Sequence, residues 1–360
     1  MPRPSAHAAS EPKRGELALI RQIRDRAGKS ASTALRLGIG DDCALLRPRP
    51  GYELAVTTDL TVCGRHFRLD WHTPESVGHR ALARGLSDLA AMGATPIAAF
   101  LSLGLPRDLA TSKGRRTGAN PWVTRFFDGL MALADACKTP LAGGDLSETA
   151  VPLADIVLVG AVPRGKALLR STAQPGDLLY VTGTLGGGAA SLPHLDRLAK
   201  KGRLAKKRNG KPPGLNGLSP AQIPKELQAL LARHLYPQPR LAQGMRLRSK
   251  GLASAAMDMS DGLSSDLTHI CEESHVASEI DPTLLPIHPG ANLEYALHGG
   301  DDYELLFTAK PDARMPSKIA GVPITRIGRM LRARAGRPAV TLLGPDGPRP
   351  LNAEGWEHFS

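Results

Sequence analysis

The chain has 360 residues, 42% of them apolar, which is enough for two cored domains and excludes wholesale disorder. Aromatic residues are only 4%, which argues against a stacking platform for single-stranded nucleic acid. Lys and Arg outnumber Asp and Glu 46 to 34, and the net charge of +12 points to an anionic partner: nucleic acid, a membrane surface or a phosphate-rich ligand.

Residues 1–14 read as a flexible Pro/Ala/Ser tail. Leu17, Ile20 and Ile23 then recur at helical spacing and predict a short amphipathic helix over Glu16–Arg26. Strands are expected at Glu53–Thr58, Pro96–Leu103 and Asp155–Val162, the last so apolar that it reads as central and covered on both faces. Helices are expected at Pro74–Ala91, opened by Pro74 and ended by Gly93, and at Trp122–Cys137. Gly165–Gly176 reads as a connector. A second set follows: a strand at Leu178–Thr182, a glycine-rich turn at Gly183–Gly188, and helices at Gln222–His234 and Arg240–Lys250. It continues with a strand–loop–helix over Ala255–Glu273 and strands at Tyr303–Thr308, Ile324–Met330 and Ala339–Leu343. The resulting expectation is an α/β chain of two domains, 15–165 and 166–360, behind the 1–14 tail. Arg197–Lys211 carries eight Lys/Arg and no acid, and with the Pro/Gly residues up to Gly217 it reads as a solvated basic insertion near 197–217.

The four cysteines, Cys43, Cys63, Cys137 and Cys271, show no paired spacing, so free thiols in a reducing compartment are expected. The first sixteen residues lack a signal-peptide core, and no apolar run reaches the ~18 residues needed to span a bilayer. A cytoplasmic protein is expected.

Acids recur beside Gly, Ser and Thr in expected turns: Gly40-Asp41-Asp42, Thr57-Thr58-Asp59, Ser87-Asp88, Gly143-Gly144-Asp145, Asp258-Met259-Ser260-Asp261-Gly262 and Gly299-Gly300-Asp301-Asp302. Short carboxylates with hydroxyl neighbours suit hard cations such as Mg²⁺. Each cluster alone reads more readily as a turn or helix cap, whereas six across both domains point to metal chemistry. The calcium-loop pattern is absent at Asp258–Gly262. Gly160–Ala167 imitates a phosphate loop, but Ala167 stands where a hydroxyl must reach magnesium. His66 reads equally as a ligand contact or a surface histidine.

Nine stretches carry a resemblance in a fixed order: LGIGDDCALL (37–46), TTDLTVCGRHF (57–67), GLSDLAAMGATP (85–96), AGGDLSET (142–149), LRSTAQPGDLLYVTGTLG (169–186), RHLYPQPR (233–240), AMDMSDGLSSDL (256–267), GGDDYELLFT (299–308) and EGWEHF (354–359). Together they resemble the thiamine-monophosphate kinase family. The resemblance implies the two-domain fold shared with aminoimidazole-ribonucleotide synthetase, with first-domain strands pairing across a homodimer. ATP and several Mg²⁺ ions are then expected in a cleft near the domain junction, with thiamine monophosphate as the second small-molecule substrate and neither membrane nor nucleic acid as partner.

Residue by residue, the resemblance makes Asp42, Thr57, Thr58, Asp59, Asp88, Asp145, Asp258 and Asp261 the metal-binding set. It gives Phe127, Gly144, Asp145, Arg170 and Ser260 to ATP, with Phe127 near the adenine. It sets His66, Asp301 and Trp356 around the thiamine phosphate. Two positions depart from the family: Gly187-Gly188 replaces an Asp-Ser, and Asp301 replaces a Glu. The implied reaction is in-line transfer of the ATP γ-phosphoryl group to an acceptor phosphate. The acceptor oxygen is already anionic, so catalysis is electrostatic and needs no protein base. The rival readings are a related ATP-dependent synthetase acting on another small molecule, and a basic nucleic-acid-binding module on this scaffold.

Overall fold

The computed structural model describes residues 16–27, 32–111, 121–209 and 223–357. The 1–14 tail, residues 210–222 of the basic stretch, and His358 and Phe359 lie outside the described residues.

The first half opens with α1 (Glu16–Ala27) and a small ribbon of β1 (Leu35–Leu37) and β2 (Leu45–Leu46), whose connecting loop carries Asp42. Then come β3 (Tyr52–Val62), α2 (Pro74–Ala91), β4 (Thr95–Leu105), α3 (Arg107–Ala110), α4 (Trp122–Ala136), β5 (Leu141–Glu148) and β6 (Leu153–Pro163). The sheet runs β3-β6-β4-β5, and within it only the β4–β5 pair is parallel. The second half contains β7 (Leu178–Thr182), α5 (Gly187–Asn209), α6 (Lys225–Leu235), α7 (Leu241–Ser249), β8 (Ala255–Asp258) and α8 (Leu263–Ser274). It ends with β9 (Val276–Ile280), α9 (Leu293–His298), β10 (Leu305–Ala309), β11 (Lys318–Ile319), β12 (Val322–Arg332), β13 (Val340–Gly344) and β14 (Gly347–Pro350). Its sheet is ordered β14-β13-β9-β12-β7-β10-β8, with β11 added to β12. Both sheets are mainly antiparallel, so the architecture is the α+β form of the expected class.

The pivotal element is α2. Thr73 caps it by accepting from the Ser76 N–H at 3.2 Å, Pro74 supplies the pre-set first turn, and Gly93 follows its end at φ +64°. Every residue of α2 is buried except Glu75, Arg84 and Asp88. Its apolar side joins a core that runs on into Ala256, Leu305 and Phe307 of the second sheet, so the helix lies between the two halves. A helix buried along most of its surface approaches its neighbours closely only through small residues. A Cβ on Gly129 of α4 would lie 1.9 Å from the Glu75 carbonyl oxygen, and one on Gly78 would lie 2.0 Å from that of Phe126. Glycine at both positions therefore sets the α2–α4 distance.

Several expectations are corrected. The β6 strand is central, but only its second half is covered on both faces: Asp155 and Val157 are half-buried, whereas Leu158–Val162 are buried. Residues 197–209 of the basic run belong to α5 rather than to a loop. The helix continues because Leu195 and Ala199 keep the apolar period, and Leu195 packs with Leu231 and Leu235 of α6. Thr57–Asp59 lie in β3, Ser87-Asp88 in α2 and Gly143–Asp145 in β5, so three of the six acid clusters occupy regular elements rather than turns. Gly160–Pro163, the start of the phosphate-loop imitation, is β6 backbone.

Candidate functional site

Along α2, Arg80, Arg84 and Asp88 follow at four-residue spacing and share one face. Each meets a different partner. Arg84 pairs with Asp59 of β3, with Nη2 2.7 Å from Oδ1 and Nε 2.9 Å from Oδ2. Asp88 accepts a hydrogen bond from the Thr57 hydroxyl at 2.5 Å, also from β3. Arg80, buried, reaches Asp301 of the loop between α9 and β10 at 3.1 Å.

The loop after β8 completes the acid set. Asp258 is buried, and Asp261 and Ser260 are half-buried. The Asp301 N–H donates to the Ser260 carbonyl at 2.8 Å and the Tyr303 N–H to that of Met259 at 2.9 Å, so this loop and the 299–304 loop are laced together. The C-terminal segment crosses the same place: the Trp356 N–H donates to the Asp261 carbonyl at 3.0 Å, while the indole is 52% exposed.

Burial, and after it the charge of neighbouring carboxylates, sets their acidity. Burial, followed by the nearby Asp258 charge, pushes Asp88 up to about 6 although Thr57 and Arg170 oppose it. Burial also raises Asp258, with Asp59 adding to the effect. Asp59 is raised by burial, which Arg84 only partly offsets. Asp266 on α8 stands well above the ordinary range, through burial and then the charges of Asp258 and Asp261. Its Oδ2 accepts from the Gly262 N–H at 3.1 Å, while its Oδ1 is buried without a hydrogen-bond partner. The bare protein thus gathers negative charge that it does not itself neutralise.

Asp59, Asp88, Asp258 and Asp261, with Thr57, therefore lie in one neighbourhood, and Arg170 lies close enough to oppose the rise of Asp88 and Asp258. Arg170 is exposed in the short turn Arg170–Thr172. Thr58 alternates outward and is exposed, as are Asp42, Gly144 and Asp145. His66 is half-buried, its Nδ1 accepting from the Val62 N–H at 3.0 Å. Phe127 is 2% exposed, packs edge-on against Phe126 with ring centroids 5.5 Å apart, and belongs to the core of the first half.

Sequence reasoning missed Arg80, Arg84, Asp266, Tyr303 and Glu304. The four-residue spacing of 80, 84 and 88 was the readable signal. The Gly187-Gly188 departure also gains a reason. Asp302 accepts from the Gly186 N–H at 2.6 Å and the Gly188 N–H at 3.2 Å, capping the start of α5, and burial pushes its carboxyl up to about 7. A Cβ on Gly188 would lie 2.6 Å from the Asp301 carbonyl oxygen, so a side chain there would displace the acidic loop.

The chain matches the family model of the AIR synthase related protein N-terminal domain over residues 40–162 and that of the C-terminal domain over 174–337. It is 38% identical to the thiamine-monophosphate kinase of Escherichia coli (strain K12) over 358 residues, 96% of this chain and 98% of that protein. The crystal structure of thiamine-monophosphate kinase from Stenotrophomonas maltophilia K279a superposes with a TM-score of 0.72 at 37% identity, covering 91% of this chain and 96% of that one. The structure of AaThiL complexed with AMPPCP and TMP gives a TM-score of 0.67 at 30% identity over 98% of this chain and 100% of that chain. With both family models matched and sequence and fold shared over nearly the whole length, the chain belongs to the thiamine-monophosphate kinase family of AIR synthase related proteins.

Proposed function

We propose that the chain transfers the γ-phosphoryl group of ATP directly to the phosphate of thiamine monophosphate, giving thiamine diphosphate and ADP. The observation that carries this reading is the convergence of Asp59, Asp88, Asp258 and Asp266 from four elements of both halves. Two substrate phosphates cannot be brought together by bare carboxylates. The donor set fits Mg²⁺: hard oxygens, a threonine hydroxyl, acids raised by burial and then by one another's charge, and an orphaned Asp266 Oδ1. Asp59, Asp88, Asp258 and Asp261, with Thr57, would hold the ions, and Thr58, Asp42 and Asp145 would join from exposed positions. Bound Mg²⁺ supplies charge neutralisation for the approaching phosphates.

The chain's own residues do the rest. Arg170 offers an exposed cation at the rim for the ATP phosphates, and Gly144 and Ser260 offer backbone and hydroxyl contacts. Arg84 fixes Asp59 by its paired bonds. The acceptor end is the region of His66, Asp301 and Trp356, where the exposed indole can face the cationic thiazolium. The 15–165 and 166–360 halves meet along α2. A panel of acceptors in an ADP-release assay tests the reading: turnover confined to thiamine monophosphate supports it, and preference for another acceptor favours a related synthetase.

We also assign a homodimer formed through β3. This strand is the open edge of its sheet, and Leu54, Val56 and Leu60 project from it 46%, 62% and 48% exposed. An eleven-residue open edge with three exposed apolar side chains invites strand pairing. The double variant Leu54→Glu/Val56→Glu is expected to sediment as a monomer where the parent sediments as a dimer. Unchanged sedimentation would remove β3 from the interface. Free thiols at Cys43, Cys63, Cys137 and Cys271 support a cytoplasmic setting, and no helix among the described residues is long and apolar enough to cross a membrane.

A further inference from the structure

Of the three charged side chains on one face of α2, the middle one is only partly used by the fold. Arg80 is buried, and its guanidinium is shared among the Asp301 carboxylate and the carbonyls of His234 and His66. Asp88 belongs to the acid cluster. Arg84 lies between them. Among the described residues its hydrogen-bond and ion-pair partner is Asp59, met through Nε at 2.9 Å and Nη2 at 2.7 Å. A guanidinium has five N–H donors, so three remain, two of them on Nη1. The Arg84 side chain keeps 15% of its surface exposed, where that of Arg80 keeps 1%. Arg84 therefore presents donors beside the acid cluster that the fold itself does not consume.

The local packing delivers this group. Gly85 brings α2 close to the first sheet: a Cβ there would lie 2.8 Å from Leu158 Cδ1 of β6, and Leu158 pairs with Thr57 of β3. That approach puts Arg84 within reach of Asp59, two residues further along β3. Burial works against the Arg84 charge, but the neighbouring Tyr303, Asp59 and Asp301 outweigh it, so the guanidinium stays charged. It thus stands between the acids that would hold Mg²⁺ and the loop at the acceptor end. Arg170 is placed differently. Its charge bears on Asp88 and Asp258, whereas that of Arg84 bears on Asp59 and Asp301, and on Asp88 less than Arg170 does. The acid cluster is flanked by one partly free cation toward each substrate.

In-line transfer needs the incoming phosphate held with its oxygen facing the γ-phosphorus, and the like charge of the two groups resists that approach. We propose that Arg84 binds the acceptor phosphate: Nε and Nη2 stay on Asp59 while Nη1 donates to a phosphoryl oxygen of thiamine monophosphate. The ligand chemistry is that of a phosphomonoester, which a planar guanidinium matches better than an ammonium does. Where a cation shares the Asp59 charge, that of Arg84 is no longer cancelled and attracts the anion. This rests on the phosphotransferase reading and deepens it, since the acceptor gains a protein cation of its own.

The test uses the full chain and compares Arg84→Gln, which keeps an amide donor for Asp59, with Arg84→Lys, which keeps the charge. Calorimetry reads the binding of thiamine monophosphate in the presence of Mg²⁺ and a β,γ-methylene analogue of ATP, and rates are read with ATP. Arg84→Gln is expected to weaken thiamine monophosphate binding about 20-fold and to raise its KM in step. KM for ATP and the Mg²⁺ concentration giving half the maximal rate then move less than about threefold. Arg84→Lys is expected to recover part of the loss, to within about fivefold of the parent. Binding by Arg84→Gln within about threefold of the parent would overturn the inference. So would a rise of about tenfold or more in the half-saturating Mg²⁺ concentration, because Arg84 would then act only through Asp59. If Arg84→Gln fails to fold, Arg84→Lys decides by the same two limits. A parent enzyme with no activity toward thiamine monophosphate would instead sink the underlying reading, which keeps the two failures apart.

Discussion

Asp88→Asn lowers kcat by about three orders of magnitude at saturating ATP and thiamine monophosphate, without loss of the folded state. The substitution keeps the shape and the Thr57 contact but removes the charge at the centre of the acid cluster. In the bare protein that charge is held at a cost, since burial and Asp258 push the carboxyl up to about 6. A raised acid favours the folded state while it is protonated, and that advantage is lost as pH rises from its unfolded value through about 6. At pH 8 the metal-free Asn variant should therefore melt no lower than the parent. With Mg²⁺ and nucleotide the order reverses, because only the parent gains stability from the bound cation. A turnover assay and melts with and without Mg²⁺ check both halves. A variant within about threefold of the parent rate would remove Asp88 from the catalytic site.

Glu304→Ala costs about 3–5 kcal/mol of folding stability, the largest single loss expected in the second half. Glu304 is fully buried between two arginines. Arg240 meets it at 2.5 Å through Nε and Nη2, Arg233 at 2.8 Å, and the Thr182 hydroxyl donates to it at 2.6 Å. Those arginines bracket the RHLYPQPR stretch, so its purpose is structural: it locks α6 and the start of α7 to β10. Removing the carboxylate strands two guanidinium groups in a site with little water. Urea unfolding measures the effect, and a loss under about 1 kcal/mol would show that the pair contributes little beyond its own desolvation.

Much of this was legible in the residues. The bounds of α2 follow from Thr73, Pro74 and Gly93, because capping and chain-breaking are local physics. Leu178–Thr182 follows similarly from an apolar run closed by turn residues. Acids beside hydroxyls mark a cation site wherever they fall, yet they do not say which element carries them. Thr57–Asp59 extends β3 because β-branched Val56, Thr57, Thr58 and Thr61 favour the pleat, and two glycines hid β5. The partners of Arg80 stand 154 and 221 residues away, and no local signal foretells them. The charge of +12 also changes meaning. Eight of those charges fall in 197–211, so the remainder carries only 12 − 8 = +4. Basicity is concentrated at the far end of α5 and the residues just beyond it, while the site itself is acidic.

The most direct measurement follows the label from [γ-³²P]ATP in a reaction with thiamine monophosphate and Mg²⁺. The account predicts labelled thiamine diphosphate, formed one for one with ADP and without lag. Label appearing only as inorganic phosphate, with thiamine monophosphate unconsumed, would contradict it.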